Sequence, residues 1–172
     1  TLPKWSPAFP RPARFVAPPA RAGSGGQRVV YFPSCAARNM GAQRGDDEAC
    51  EPLPAVAARL LAKAGFEVVY PRAMDGLCCG QPFESKGLME AADAKSAELE
   101  AALDAASEGG RLPILFDTSP CAYRMRRWLA GRLEVTDSIA FVRERVLPEV
   151  AIERVAGPVA VHPVCSVRKM GL

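Results

Sequence analysis

Leu112-Pro113-Ile114-Leu115-Phe116-Asp117-Thr118-Ser119-Pro120-Cys121 decides how this chain is built. The apolar run 112–116 reads as a buried strand. Asp117-Thr118-Ser119-Pro120 then opens a helix closed by Gly131, with Ser119 as cap and Pro120 at the first helical position. Cys121 therefore sits in the first turn, where the helix dipole and free N–H groups favour thiolate. Arg124, Arg126 and Arg127 add positive potential, although the plainer reading of Arg126 and Arg127 is a solvated face. Asp117 is most simply a turn or cap residue. Trp128, Met125 and Leu129 share helical spacing with Cys121 and read as core.

Outward from this unit the same alternation recurs. Val29 to Phe32 reads as a short buried strand. Leu53, Val56, Ala57, Leu60, Leu61 and Ala64 follow helical spacing, with Gly65 at the end. Residues 66–70 form the next strand, 88–107 a long alanine-rich helix, and 133–136 a further strand. Asp137 caps a helix ending near Pro148, and Val159 to Val161 is the last strand. Strands alternating with helices predict an α/β fold: a mostly parallel sheet flanked by helices, a Rossmann-like unit. In such sheets the site lies beyond the carboxyl ends of the strands. Cys35, the pair Cys78 and Cys79, Cys121 and Cys165 each follow a strand.

Leu77-Cys78-Cys79-Gly80 is a compact sulfur donor. Thiolate suits iron–sulfur clusters and copper(I), and also serves zinc. Adjacent cysteines bridge only through a strained ring, so a disulfide within the pair is disfavoured. Gly80, without a Cβ, lets the backbone approach a bulky group and take positive φ.

Composition narrows the class. With 172 residues, 49% hydrophobic and 24% charged, the chain is about one domain with a core of its own. The first 28 residues hold five positives (Lys4, Arg11, Arg14, Arg21, Arg28) and no acid, which leaves −2 of the net +3 for the rest. That argues against a nucleic-acid-binding body, and the basic head lacks aromatic interleaving. No 18-residue apolar span and no signal peptide are legible, so a cytoplasmic setting fits. In a reducing compartment, clustered cysteines more often mean metal or redox chemistry than disulfides. Cys50, beside Asp46, Asp47 and Glu48, reads as incidental, since acids raise a thiol pKa.

Residues 1–27, with six prolines and Gly23-Ser24-Gly25-Gly26, read as a linker in which Trp5, Phe9 and Phe15 could dock on a neighbour. Residues 29–41 align without gaps at an offset of 130 with 159–171, and six of the thirteen positions are identical. Residues 28–157 thus read as a first unit and 158–172 as the opening of a second, and the missing initiator methionine fits a piece of something longer. In this repeat His162 takes the place of Phe32, which predicts a packed or hydrogen-bonded imidazole.

The cysteines run Cys35, 42 residues, Cys78-Cys79, 41 residues, Cys121. This pattern resembles the cysteine-rich CCG domain found in heterodisulfide reductases, in the iron–sulfur component of glycolate oxidase and in lactate-utilisation proteins. Tyr31-Phe32-Pro33-Ser34-Cys35, the stretch 78–87 and Asp117 to Cys121 are most similar to FAD-linked D-lactate dehydrogenases. The resemblance implies an iron–sulfur cluster, 4Fe-4S or related, or zinc, on Cys35, Cys78, Cys79 and Cys121, with Cys165 as a further metal candidate. It implies electron transfer from FAD, held in an upstream domain, to an external acceptor during oxidation of a 2-hydroxy acid, D-lactate being the preferred substrate class. Flavin and ferredoxin-like domains are the implied partners; the whole protein's place extends to the inner face of the membrane, and this chain alone is expected to be inactive. One departure stands out: where the family pattern often ends in Cys-x-x-Cys, this chain has Cys121-Ala122-Tyr123-Arg124. An ordinary four-sulfur cluster then fits better than a five-thiolate arrangement. A thiol–disulfide redox site and a zinc-stabilised interaction module are the alternatives.

Overall fold

The computed structural model describes residue 17 and residues 26–40, 51–153 and 156–172. Most of the linker reading, with Trp5, Phe9 and Phe15, and the reading of Cys50 lie outside the described residues.

The first strand, β1 (Arg28–Phe32), runs into the short helix α1 (Cys35–Asn39). After α2 (Leu53–Lys63) come β2 (Glu67–Val69), a one-turn 3-10 helix (Met74–Gly76), α3 (Gln81–Glu84) and the long α4 (Met89–Ala106). Next are β3 (Ile114–Phe116), α5 (Ser119–Leu129), β4 (Val135–Asp137), and α6 (Ser138–Phe141), which continues as a π segment to Val146 and a 3-10 turn to Glu149. The final helix is α7 (Cys165–Lys169). The four strands pair in parallel, in the order β2-β1-β3-β4.

Alternation along the strands divides the core between two faces. Val30, Phe32, Ile114 and Phe116 pack with Leu99 and Leu103 of α4 and with Ala122, Met125 and Leu129 of α5. Val29, Tyr31 and Leu115 pack on the other face with Leu61, Ala64, Phe66, Phe141 and Val146. Each fully buried leucine contributes roughly 1.5–3 kcal/mol of transfer free energy, so α4, with two of them, is firmly docked. Cys79 and Cys121 belong to the α4/α5 face.

Two details differ from the sequence reading. Val159 to Val161 is no strand: both valines are about four-fifths exposed (80% and 81%) and pair with none of the four strands. A strand is held by its neighbour's ladder, and here no partner lies alongside among the described residues. The cap of α5 is Thr118, not Ser119, which shifts Pro120 to the second helical position, and the Cys121 amide is already donated to the Thr118 carbonyl at 3.0 Å. Among the described residues no helix is long and apolar enough to cross a membrane.

Candidate redox or metal site

The sheet order reverses between β1 and β3, the switch point where α/β sheets open a crevice at their carboxyl ends. Phe32 and Phe116 stand level in register there, so the loops that leave them start side by side. Asp117 ties the two loops together. One carboxylate oxygen accepts the Ser34 amide and the Thr118 hydroxyl, both at 2.9 Å; the other accepts the Tyr31 hydroxyl at 3.1 Å. Ser34 then caps α1 by accepting the Ala37 amide at 3.2 Å. The turn residue of the sequence reading is therefore also the brace that fixes Cys35 relative to Cys121.

The vicinal pair enters the same crevice from the loop after β2. Gly80 follows with φ +85°, and a Cβ there would lie 2.3 Å from the Ala92 carbonyl oxygen. Only glycine permits this approach of the turn to α4. Ser96, on α4, donates its hydroxyl to the Cys79 carbonyl at 3.0 Å. Arg124, on α5, donates its Nε to that carbonyl at 3.0 Å and to Ser96 Oγ at 3.1 Å, while its terminal nitrogens pair with Glu84 and Asp93 at 2.8 Å each. Its side chain is 6% exposed and its charge is met by carboxylates. Arg124 thus builds the turn, rather than supplying the free positive potential the sequence suggested. Arg127 is exposed, lying beside Glu84 at 3.3 Å and over the Tyr123 ring. Met125 and Leu129 are core, and Trp128 is half-buried with its indole N–H on Glu100 at 2.7 Å.

These supports bring four sulfurs together. Cys79 Sγ and Cys121 Sγ are 3.0 Å apart, with both residues buried. Cys78, half-buried, is near enough to Cys79 and Cys35 for both to shift its thiol, and its Sγ accepts the Gly80 amide at 3.4 Å. Cys35, Cys78, Cys79 and Cys121 thus influence one another in a series, and Cys79 and Cys121 are in direct contact. Its electrostatics favour thiols. Burial, then the Cys78 thiol, push Cys35 up. The contact with Cys79, then burial, push Cys78 up more strongly. Cys79 is pushed up to about 12, first by Cys121 and then by burial. These shifts run opposite to the lowered thiol values that ligation calls for.

A soft, all-sulfur donor set, two of its thiols buried and two half-buried, suits zinc or an iron–sulfur cluster. The spacing is tighter than a ligated one. Two sulfurs on a tetrahedral ion with bonds of about 2.3 Å stand about 3.8 Å apart, against 3.0 Å for Cys79 and Cys121. Accordingly, no three His, Cys, Asp or Glu side chains among the described residues are spaced to hold a metal ion as they stand. The chemistry fits, and loading requires the sulfurs to part and lose their protons.

Cys165 is not in this series. It is exposed at the start of α7 and lines a groove of about 430 Å³ with Gln81, Pro120, Tyr123 and Lys169. His162 is exposed rather than packed, because the segment it occupies forms no strand. Sequence reasoning missed Arg38. This side chain is 3% exposed and donates to the carbonyls of Pro33 at 3.1 Å, Met74 and Leu77, holding the loop that leads into Cys78. A signal for it was present: Cys35-x-x-Arg38 repeats the spacing of Cys121-x-x-Arg124.

Compared with known families, residues 29–126 match the cysteine-rich CCG domain. No curated protein and no solved structure matches the chain.

Proposed function

The chain belongs to the family of cysteine-rich CCG domains, and from that premise we propose that Cys35, Cys78, Cys79 and Cys121 hold an iron–sulfur cluster in an electron-transfer module. The observation that carries this reading is the meeting of four thiols, delivered by three separate loops, at the switch point of a parallel sheet. A bound cluster supplies one-electron transfer at a potential tuned by its surroundings. The chain's own residues deliver and orient the sulfurs. Asp117 and Ser34 fix Cys35, Ser96 and Arg124 fix Cys79, and Gly80 lets the pair lie against α4.

The wider role is proposed on the same basis. The module passes electrons from FAD, bound in another part of the protein, to an external acceptor during oxidation of a 2-hydroxy acid such as D-lactate. Flavin and ferredoxin-like domains are its partners, and residues 158–172 begin a second cysteine-rich unit to which Cys165 belongs. Anaerobic reconstitution of the full-length protein with iron and sulfide is the test. Brown absorption and a cluster EPR signal, both lost in Cys78→Ser and Cys79→Ser, are the expected result. A colourless protein with stoichiometric zinc overturns it.

One observation favours a second reading. Cys79 and Cys121 are close enough to form a disulfide, releasing two protons and two electrons to an oxidising disulfide substrate. Reduction of a small disulfide by cluster-free protein would support that reading.

A further inference from the structure

The groove between α5 and α7 carries more positive charge than its own wall answers. Both of its cations stand over one ring: the Arg127 guanidinium lies 5.6 Å and the Lys169 ammonium 5.5 Å from the centre of Tyr123. Lys169 forms no ion pair among the described residues. Glu84 is the one acid on the wall, and it is shared: one carboxylate oxygen meets buried Arg124 at 2.8 Å, the other meets Arg127 at 3.3 Å. A third group lacks a partner. Ser166 lines the groove and is 9% exposed, and its Oγ is buried with no hydrogen-bond partner among the described residues. A buried hydroxyl left in that state costs stability, and an acceptor arriving in the groove relieves it.

Helical spacing brings these groups to one place. Tyr123 and Arg127 are four apart on α5, and Ser166 and Lys169 are three apart on α7, so each pair shares a helix face. The groove holds about 430 Å³, far more than a lone inorganic ion fills and within the range of sites for small organic ligands. Pro120, Tyr123 and Val164 give it an apolar side. We propose that it binds a small organic molecule through an oxyanion group, a carboxylate or a phosphate. Lys169 and Arg127 answer the charge, and the Ser166 hydroxyl, turned about χ1, donates to one of its oxygens. The apolar part of the ligand lies against Tyr123, Pro120 and Val164. Gln81 is two positions beyond Cys79 and Pro120 immediately precedes Cys121, so an occupied groove adjoins the sulfur site. None of the groups that hold the ligand is a sulfur, so the assignment does not depend on a bound cluster.

Calorimetric titration of full-length protein, without reconstitution, tests it with three probes of similar size: benzoate, phenyl phosphate and uncharged benzyl alcohol. Benzoate or phenyl phosphate is expected to bind and benzyl alcohol is not, and the anion that binds more tightly names the oxyanion. Lys169→Gln and Arg127→Gln are each expected to weaken that binding about tenfold, and Lys169→Arg to retain it. Arg126→Gln, on α5 but away from the groove, is expected to leave it unchanged. Both groove cations are exposed, so these variants should keep the wild-type circular dichroism. Failure of both anions to bind overturns the site. So does benzyl alcohol binding as tightly as the anions, or anion binding undiminished in both Lys169→Gln and Arg127→Gln. If the protein takes up no cluster but binds the anion in the expected pattern, the reading of the cysteines as ligands fails and this site stands.

Discussion

The sulfurs of Cys79 and Cys121 lie 3.0 Å apart although 42 positions separate them in the chain. One helix holds both: α5 carries Cys121 near its start, and one turn later Arg124 reaches back to the Cys79 carbonyl. The contact is thus set by a rigid element rather than by two independent loops, and its consequences can be measured.

Mild oxidation of metal-free protein by oxidised glutathione should close Cys79 to Cys121 before any other pair, because adjacent Cys78 and Cys79 bridge only with strain. Peptide mapping should find that link, and Cys121→Ser should abolish it. A first link between Cys35 and Cys78 would contradict the geometry.

Alkaline pH should weaken the metal-free fold. The Cys79 thiol is pushed up to about 12 by Cys121 and by burial, and Tyr70 is also pushed up to about 12 by burial. The folded state therefore holds protons that the unfolded chain releases, so this stability is full below the unfolded thiol value of about 8.5 and is lost as pH rises towards 12. Denaturant midpoints should fall steadily from about pH 8.5 to pH 10.5, and Cys79→Ser should flatten the slope.

Gly80→Ala should destabilise strongly. The positive φ alone costs roughly 1–3 kcal/mol for a side chain, and the added Cβ would meet the Ala92 carbonyl oxygen at 2.3 Å. Chemical denaturation should show at least that loss. Retained wild-type stability would mean that the turn can move away from α4.

Much of this site was legible in the sequence, for a physical reason. A buried strand announces itself by apolar content, a helix by its period and its proline, and a cysteine after each strand by position alone. Cys35, Cys78, Cys79 and Cys121 could therefore be named together. Where the reading slipped, the missing information was a neighbour. Val159 to Val161 has strand composition but no adjacent ladder, so it stays exposed, and His162 stays exposed with it. The α5 cap moved one residue, a shift within the usual uncertainty of helix ends.

By itself, then, the sequence determined the α/β alternation, the sulfur chemistry of the site and the need for glycine after the pair, because all three depend on residue type and local spacing. Only the tertiary structure decided that β1 and β3 lie side by side, that Arg124 is spent on Glu84, Asp93 and the Cys79 carbonyl, and that Arg38 is buried without a carboxylate partner among the described residues. Strand order and the partner of a charge are long-range facts. They follow from which faces pack together, and no local pattern of residues encodes them.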